Sequence, residues 1–243
     1  MENQKKDYLL PASIIIAALL IAGSWIYTTG LKNVEIKEKI GQENNQPAVS
    51  ESNLENVKPI SGDDYIMGNP NAPVKIIEFS DLECPFCKVF HQTMKQVMAE
   101  YGNNGKVAWV YRHWPLEQLH PKAKTSALAA ECAGELGGNE KFWEYLDKYF
   151  EITPSNNQIN LSELPKIAES IGLNRAQFEG CLQSGKYQEK IEAQIKDAVS
   201  SNPECPRCGT PFSIVIAKDG KKYPIPGAFP YEDVKAIIEE ALR

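Results

Sequence analysis

Two sequence patterns meet at Ser80-Asp81-Leu82-Glu83-Cys84-Pro85-Phe86-Cys87. The residues before it, Val74–Phe79, are apolar on both faces except at Lys75 and Glu78, a pattern that predicts a buried central strand. The residues after it place apolar side chains at helical spacing from Pro85 to about Tyr101, which predicts an amphipathic helix. The two cysteines therefore stand at a strand-to-helix junction.

This junction suits thiol chemistry. Cys84 falls at the N-cap of the predicted helix and Pro85 at its first position, where a missing N–H costs nothing. The positive end of the helix dipole and the free N–H groups there would stabilise a Cys84 thiolate, which is the reactive nucleophile. A Cys-x-x-Cys spacing alone also fits half of a metal site or a local structural disulfide.

The composition limits the functional classes. The 243 residues suffice for one sizeable domain with appendages, and 42% hydrophobic and 24% charged residues are ordinary for a globular protein. A net charge of −6 without a basic patch argues against nucleic-acid binding. His91, His113 and His120 lack metal-ligand spacing, so each is expected at the surface or in a loop. No metal and no other cofactor are expected.

The N-terminal region is predicted to be a membrane anchor. Residues 8–28 are uncharged and mostly apolar, and about 20 helical residues cross the roughly 30 Å hydrocarbon core of a bilayer. Residues 1–7 would then lie in the cytoplasm. A cleaved signal peptide is the alternative, although Ala22-Gly23-Ser24 is a poor cleavage site.

A tether is predicted between the anchor and the folded domain. Residues 29–60 are assigned to it because the stretch from about Gly41 to Ile60 is polar and interrupted. The folded domain is expected to begin near Ser61. Six cysteines that look like three pairs favour an oxidising compartment, so residues 32–243 are placed on the extracytoplasmic side.

The remaining chain predicts an α/β domain. A second strand, Lys106–Trp114, precedes a helical block over about residues 119–202. Two strands, Phe212–Ala217 and Lys221–Pro226, follow across an Asp-Gly turn, and the two prolines of the latter mark it as an edge strand. A last helix covers Tyr231–Leu242. This order describes a mixed central sheet flanked by helices.

Four features in this order resemble a known family. They are the Ser80–Cys87 stretch, the helical insertion, Gly209-Thr210-Pro211 and Pro226-Gly227-Ala228. Together they are similar to the DsbA-type thiol–disulfide oxidoreductases of the thioredoxin superfamily, in their membrane-anchored form. The resemblance covers about residues 61–243 and implies a thioredoxin fold with an inserted helical subdomain.

The resemblance implies roles for the residues that match it. Cys84 would be the nucleophile that forms a mixed disulfide, and Cys87 would be the buried resolving thiol. Pro211 would be a cis-proline packed against the cysteine pair, and Thr210 would offer its backbone to an extended substrate. Taken without the resemblance, Pro211 is better explained as an ordinary trans proline at the start of a strand.

Glu78 and the dipeptide between the cysteines complete the predicted site. The resemblance makes Glu78 a buried acid that receives or relays the proton of Cys87, and burial should raise its pKa. The alternative is a strand glutamate paired with Lys75 or Lys106. Pro85 and Phe86 would tune the redox properties. Because Phe86 brings no positive charge, the Cys84 pKa is expected to be lowered less than in the strongest oxidants of the family.

Four further cysteines are assigned structural or auxiliary roles. Cys132 and Cys181 lie on separate predicted helices, and a disulfide between them is favoured over two free thiols in an oxidising compartment. Cys205 and Cys208 lie just before Pro211. They could form a local disulfide, a second redox pair, or a metal site shared with the first pair.

The resemblance implies an enzyme that donates the Cys84–Cys87 disulfide to exported polypeptides. An integral-membrane, quinone-linked partner would reoxidise it. Two alternatives stay open. One is a reductase or isomerase with the same fold and the opposite electron flow, which depends on the reduction potential. The other is a tethered binding or chaperone module with structural cysteines.

Overall fold

The structure is a computed structural model that describes residues 51–202 and 209–243. Within these ranges one mixed sheet contains β1 (Tyr65–Gly68), β2 (Val74–Ser80), β3 (Val107–His113), β4 (Phe212–Ile216) and β5 (Lys222–Pro226). The α-helices are α1 (Glu51–Leu54), α2 (Pro85–Val97), α3 (Ala123–Ile152), α4 (Leu164–Ser170), α5 (Arg175–Ser184), α6 (Gln188–Ser201) and α7 (Tyr231–Ala241). A π-helical turn, Met98–Gly102, extends α2, and a short 3-10 helix, Leu161–Glu163, precedes α4.

The sheet has the order β1-β3-β2-β4-β5, with β2 in the middle. β2 pairs in parallel with β3 and antiparallel with β4, and its mainly apolar sequence reflects burial on both faces. β5 is an edge strand, which confirms the interpretation of its two prolines. The sequence pattern does not reveal β1, because four half-exposed residues are too few for an alternation to stand out.

Alternate side chains of β2 enter two apolar cores. Ile76 packs with Trp109 of β3 and with the buried face of α2 in the larger core. Phe79 packs with Phe212 of β4 in the smaller core on the other face. Because side chains two residues apart share a face of a strand, Glu78 points into the larger core, on the side where α2 begins.

The predicted helical insertion consists of α3 to α6. Its first helix is kinked at Gly138 (φ 74°, ψ −166°), a conformation that glycine adopts without steric cost. The predicted disulfide joins Cys132 on α3 to Cys181 on α5, with an S–S distance of 2.01 Å. The insertion is therefore covalently cross-linked.

The folded unit begins before Ser61, which corrects the predicted boundary of the tether. Leu54 is 1% exposed and Val57 is 8% exposed, and both belong to the smaller core. Two isolated apolar residues in a polar stretch carry no periodic signal, so the sequence pattern conceals this packing. The rest of the predicted tether, 29–50, lies outside the described residues.

The predicted membrane segment 8–28 also lies outside the described residues. Across residues 51–202 and 209–243, no helix is both long enough and apolar enough to span a bilayer. The membrane anchor therefore stays a prediction of the sequence.

Candidate active site

The cysteine pair lies at the start of α2. Cys84 is the N-cap residue with extended backbone angles (φ −77°, ψ 123°), and Pro85 opens the first turn. A turn closes just before the helix, because the Cys84 N–H donates to the Asp81 carbonyl at 3.1 Å. The Cys84 carbonyl then accepts a helical hydrogen bond from the Lys88 N–H at 3.2 Å. This is the local geometry that the sequence predicts.

Both sulfurs are buried free thiols. Cys84 is 4% exposed, and Cys87 is fully buried. The Cys84 thiol donates to the Thr210 carbonyl oxygen, with 3.3 Å between Sγ and O. The Asp81 N–H donates to the Cys87 Sγ at 3.4 Å. The Thr210–Pro211 peptide bond is cis. The contact between Cys84 and Thr210 places the proline loop expected from the resemblance beside the cysteine pair.

The pKa values of the two thiols shift in opposite directions. The pKa of Cys84 is lowered to about 6, first by the Cys87 thiol that donates to its sulfur and also by N–H groups of the first helical turn. Cys84 makes no regular capping hydrogen bond, so these N–H groups act as dipoles. Burial raises the pKa of Cys87 well above its usual range, and nearby Cys84 raises it further. At neutral pH the thiolate therefore forms on Cys84.

Glu78 is buried in the sheet near the thiols, and its charge raises the pKa of Cys87. The Trp109 indole N–H donates to the Glu78 Oε2 at 2.9 Å, and the Oε1 has no hydrogen-bond partner among the described residues. Burial raises the pKa of Glu78 to about 7, although the Trp109 hydrogen bond opposes this shift. The alternative pairing is not seen: Lys75 donates instead to the Ala72 carbonyl at 3.2 Å.

Two hydroxyl groups on the neighbouring strands share the face of Glu78. The strand register places Tyr111 of β3 and Ser213 of β4 opposite Glu78. Within residues 51–202 and 209–243 neither hydroxyl oxygen has a hydrogen-bond partner, and both are buried. An unpartnered buried polar atom costs roughly 1–3 kcal/mol, so their concentration beside the thiols points to a functional role.

Asp81 and His120 are site residues that the sequence reasoning missed. The His120 Nδ1 lies 2.8 Å from the Asp81 Oδ2, and the Leu116 N–H donates to the same oxygen at 2.9 Å. The Asp81 Oδ1 accepts the Glu83 N–H at 2.8 Å, in an Asx turn. Of these contacts, only the Asx turn could have been predicted from the sequence. The contact with His120 could not, because His120 lies in a loop far away along the chain.

All three histidines are buried, which corrects the expectation for their exposure. His91 on α2 contacts the Asp147 Oδ1 at 2.7 Å, and His113 on β3 lies 3.5 Å from the Glu131 Oε1. His120 does lie in a loop but is only 7% exposed. Each histidine faces a carboxylate, which is the usual condition for burying an imidazole.

The helical insertion holds the segment before Cys84. The Tyr149 hydroxyl of α3 donates to the Glu83 carboxylate. The Asn156 N–H donates to the Glu83 carbonyl at 2.8 Å, and the Lys88 Nζ donates to the Thr153 carbonyl at 2.6 Å. The insertion thus contacts both the loop that carries Cys84 and the helix that follows it.

No metal role is assigned to this site. In the part of the chain that the structure describes, the group of metal-ligating side chains close enough for an ion is Cys132, Glu135 and Cys181, and its two sulfurs already form the disulfide. Cys205 and Cys208 lie outside the described residues. Their three possible roles therefore stay predictions.

Comparisons with known proteins agree with this architecture. A family model described as thioredoxin matches residues 61–240. The structure of alpha-DsbA1 from Wolbachia pipientis is similar with a TM-score of 0.64, 22% identity, and coverage of 78% of this chain and 95% of that one. DsbA2 from Pseudomonas aeruginosa gives a TM-score of 0.60, 25% identity, and coverage of 76% and 97%. These likenesses show a shared fold.

Curated relatives match over a shorter part of their length. The antiporter NhaA 1 of Mycolicibacterium gilvum (strain PYR-GCK) is 30% identical over 148 residues, which are 60% of this chain and 23% of that protein. The antiporter NhaA 1 of Salinispora arenicola (strain CNS-205) is 28% identical over 194 residues, 79% of this chain and 27% of that protein. This chain therefore matches about a quarter of the length of these relatives.

Proposed function

Because this chain belongs to the thioredoxin family, we propose that it is a DsbA-like thiol–disulfide oxidoreductase that donates the Cys84–Cys87 disulfide to exported proteins. The observation that carries the proposal is the asymmetry of the pair: an acidic Cys84 at the start of α2, beside a buried Cys87 and the cis-proline loop. An unequal pair of thiols is what directional exchange requires.

The first step uses Cys87 as the leaving group. A substrate thiolate attacks the Cys84 Sγ of the oxidised pair, a new disulfide forms between substrate and Cys84, and the Cys84–Cys87 bond breaks. Cys87 leaves with the electron pair and takes up a proton. A Glu78 pKa of about 7 suits this exchange of a proton near neutral pH.

The second step uses Cys84 as the leaving group. A second thiolate of the substrate attacks the substrate sulfur of the mixed disulfide, the substrate gains a disulfide, and Cys84 leaves as a thiolate. A leaving thiol of low pKa departs faster, so the Cys84 pKa of about 6 favours release in this direction. Two electrons stay on the protein.

Substrate contact is assigned to the surface around Cys84. Phe86, between the two cysteines, is 65% exposed, and Val89 in the next turn is 60% exposed. Apolar side chains in this position suit reduced, unfolded polypeptides, and the Thr210–Pro211 backbone would bind an extended segment. Pro85 and Phe86 would also tune the potential, as the resemblance implies.

The cellular setting is part of the proposal. Residues 8–28 would anchor the protein to the cell membrane, with the catalytic domain on the extracytoplasmic side. The Cys132–Cys181 disulfide supports an oxidising compartment. Reoxidation of the dithiol would transfer its two electrons to an integral-membrane, quinone-linked partner.

The test is oxidation of a reduced, unfolded protein that needs disulfides, together with the reduction potential of the pair. Cys84→Ser should abolish the activity. Cys87→Ser, mixed instead with a substrate protein that carries a disulfide, should accumulate a mixed disulfide at Cys84 detectable by mass, because the Cys84 thiolate breaks the substrate disulfide and no Cys87 thiol is present to release the product. A potential near −120 to −180 mV supports an oxidase or isomerase, and a value near −270 mV would favour a reductase instead. If the wild-type protein oxidises no substrate and Cys84→Ser still binds unfolded protein, only a binding or chaperone role would remain.

A further inference from the structure

Asp81 connects the loop before α2 to the buried thiol through its backbone. Its N–H donates to the Cys87 Sγ at 3.4 Å. Its carbonyl accepts the Cys84 N–H at 3.1 Å, and its Oδ1 accepts the Glu83 N–H at 2.8 Å. The direction in which the Asp81 N–H points is therefore coupled to the conformation of the whole turn.

The Asp81 side chain is held from outside that turn. Its Oδ2 accepts the Leu116 N–H at 2.9 Å and lies 2.8 Å from the His120 Nδ1. His120 is itself fixed, because its N–H donates to the Leu116 carbonyl at 2.7 Å and its carbonyl accepts the Ala123 N–H at 2.9 Å. Asp81 is 1% exposed, so these contacts, rather than water, orient it.

A single N–H hydrogen bond strongly affects the stability of a thiolate on a buried sulfur. A hydrogen bond donated to sulfur favours the thiolate over the thiol, and Cys87 has no exposure to water that could supply one. Cys87 carries negative charge twice in the exchange reaction: as the leaving group when its disulfide is attacked, and as the nucleophile when it attacks a mixed disulfide at Cys84.

We propose that Asp81 and His120 are positioning residues that hold the Asp81 N–H on the Cys87 sulfur and thereby speed the steps in which Cys87 is a thiolate. The inference rests on the proposed function of the cysteine pair and deepens it. The effect should be confined to Cys87, because the Cys84 thiolate is stabilised instead by the Cys87 thiol and by the N–H groups at the start of α2.

The experiment measures the reactions of the two thiols as two successive steps of one assay. Reduced full-length chain carrying Cys205→Ser and Cys208→Ser is mixed with dithiobis(nitrobenzoate). The Cys84 thiolate first attacks the reagent, forming a mixed disulfide and releasing one thionitrobenzoate anion. Cys87 then loses its proton to Glu78 and attacks the Cys84 Sγ. The Cys84–Cys87 disulfide forms, and the reagent sulfur leaves with the electron pair as a second anion. Rapid-mixing absorbance follows both releases.

His120→Ala should slow the second release about tenfold and leave the first release nearly unchanged. His120→Asn should restore the second release, because the Asn amide N–H lies near the place of Nδ1. His120→Gln should not restore it, because its donor corresponds to Nε2. The Asn and Gln variants keep a polar side chain at this position, so they test the idea even if the alanine variant does not fold.

His91→Ala is the matched control. It also removes a buried histidine bonded to an aspartate, His91 to Asp147 at 2.7 Å, but neither residue is hydrogen-bonded to a sulfur among the described residues. It should lower stability and leave both releases unchanged. Equal slowing in His91→Ala and His120→Ala, slowing of the first release, or an unchanged second release in His120→Ala would overturn the inference. The assay contains no substrate protein, so its outcome is independent of the test of the proposed function. Failure to oxidise proteins would contradict the proposed function, whereas the two release rates alone decide this inference.

Discussion

Arg112 and Glu78 are both buried ionisable residues of the central sheet, and they lie on opposite faces of it. The register pairs Glu78 with Tyr111, so the next residue, Arg112, points the other way. All five Arg112 N–H groups have acceptors: Asp64 at 2.8 Å, Asp197 at 2.6 Å, and the carbonyls of residues 58 and 59.

Glu78 is buried to the same degree, but within residues 51–202 and 209–243 it has one hydrogen bond, from Trp109, and no salt-bridge partner. The two faces of the sheet therefore differ in how a buried charge is compensated. On one face, the ion pairs and hydrogen bonds of Arg112 compensate its charge completely, and they connect the segment before β1 to α6. The Glu78 face leaves its acid undercompensated, which keeps it titratable near pH 7. The first arrangement serves stability, and the second suits proton transfer.

Arg112→Met should give the largest effect on stability. It leaves the Asp64 and Asp197 carboxylates, at 5% and 2% side-chain exposure, without their cation. Breaking a buried ion pair in this way costs about 3–5 kcal/mol. Urea unfolding measures the loss, and adding Asp64→Asn and Asp197→Asn should recover part of it. A changed Cys84–Cys87 potential in Arg112→Met would contradict the division between the two faces.

Glu78→Gln should flatten the dependence of stability on pH. The folded-state pKa of about 7, against 4.5 unfolded, means that the folded protein binds this proton more tightly. The stabilisation is complete below pH 4.5 and is lost as the pH rises to about 7, a fall of about 3 kcal/mol. Urea unfolding of the oxidised protein across this range measures it. Glu55→Gln, a change at an exposed glutamate, is the control and should keep the wild-type slope.

Alkylation of Cys84 by iodoacetamide should show a midpoint near pH 6, set by its lowered pKa. Below the midpoint the rate should fall about tenfold per pH unit, since only the thiolate reacts. The measurement uses Cys87-intact reduced protein and mass spectrometry of the labelled peptide. Arg112→Met should leave this midpoint unchanged because it acts on the other face. A midpoint above about pH 8 would contradict the oxidase proposal.

The smallest effect is expected from a pair of serines. Ser213, opposite Glu78, has a buried hydroxyl without a partner among the described residues, so Ser213→Ala should cost nothing or slightly stabilise the protein. Ser126 has a partner, the Tyr149 hydroxyl at 2.8 Å, so Ser126→Ala should cost about 1 kcal/mol. Thermal unfolding compares them. A larger loss of stability in Ser213→Ala than in Ser126→Ala would show that the Ser213 hydroxyl forms a hydrogen bond in the folded protein.

Some of the site follows from local sequence. The capping position of Cys84 and the proline after it depend on residues that are neighbours in the chain, and the structure places both as predicted. The central position of β2 follows from its apolar run, and the edge position of β5 from its prolines. These are effects of spacing and backbone chemistry, which need no knowledge of distant residues.

Other features depend on contacts between segments far apart in the chain. The burial of His120 against Asp81, and of Leu54 in the smaller core, cannot be inferred from patterns that are only a few residues long. The Glu78 partner is Trp109 rather than a lysine, because the parallel register of β2 and β3 decides which side chains meet.

The sequence by itself determined the place of the cysteine pair at a helix start and the class of fold, since these follow from spacing, capping and hydrophobic period. Only the tertiary structure decided the unequal chemistry of the pair. Burial of Cys87, the Thr210 carbonyl beside Cys84 and the undercompensated Glu78 all arise where β2, β4 and α2 converge. Desolvation and hydrogen bonding at that junction, which no short stretch of sequence encodes, set the pKa values.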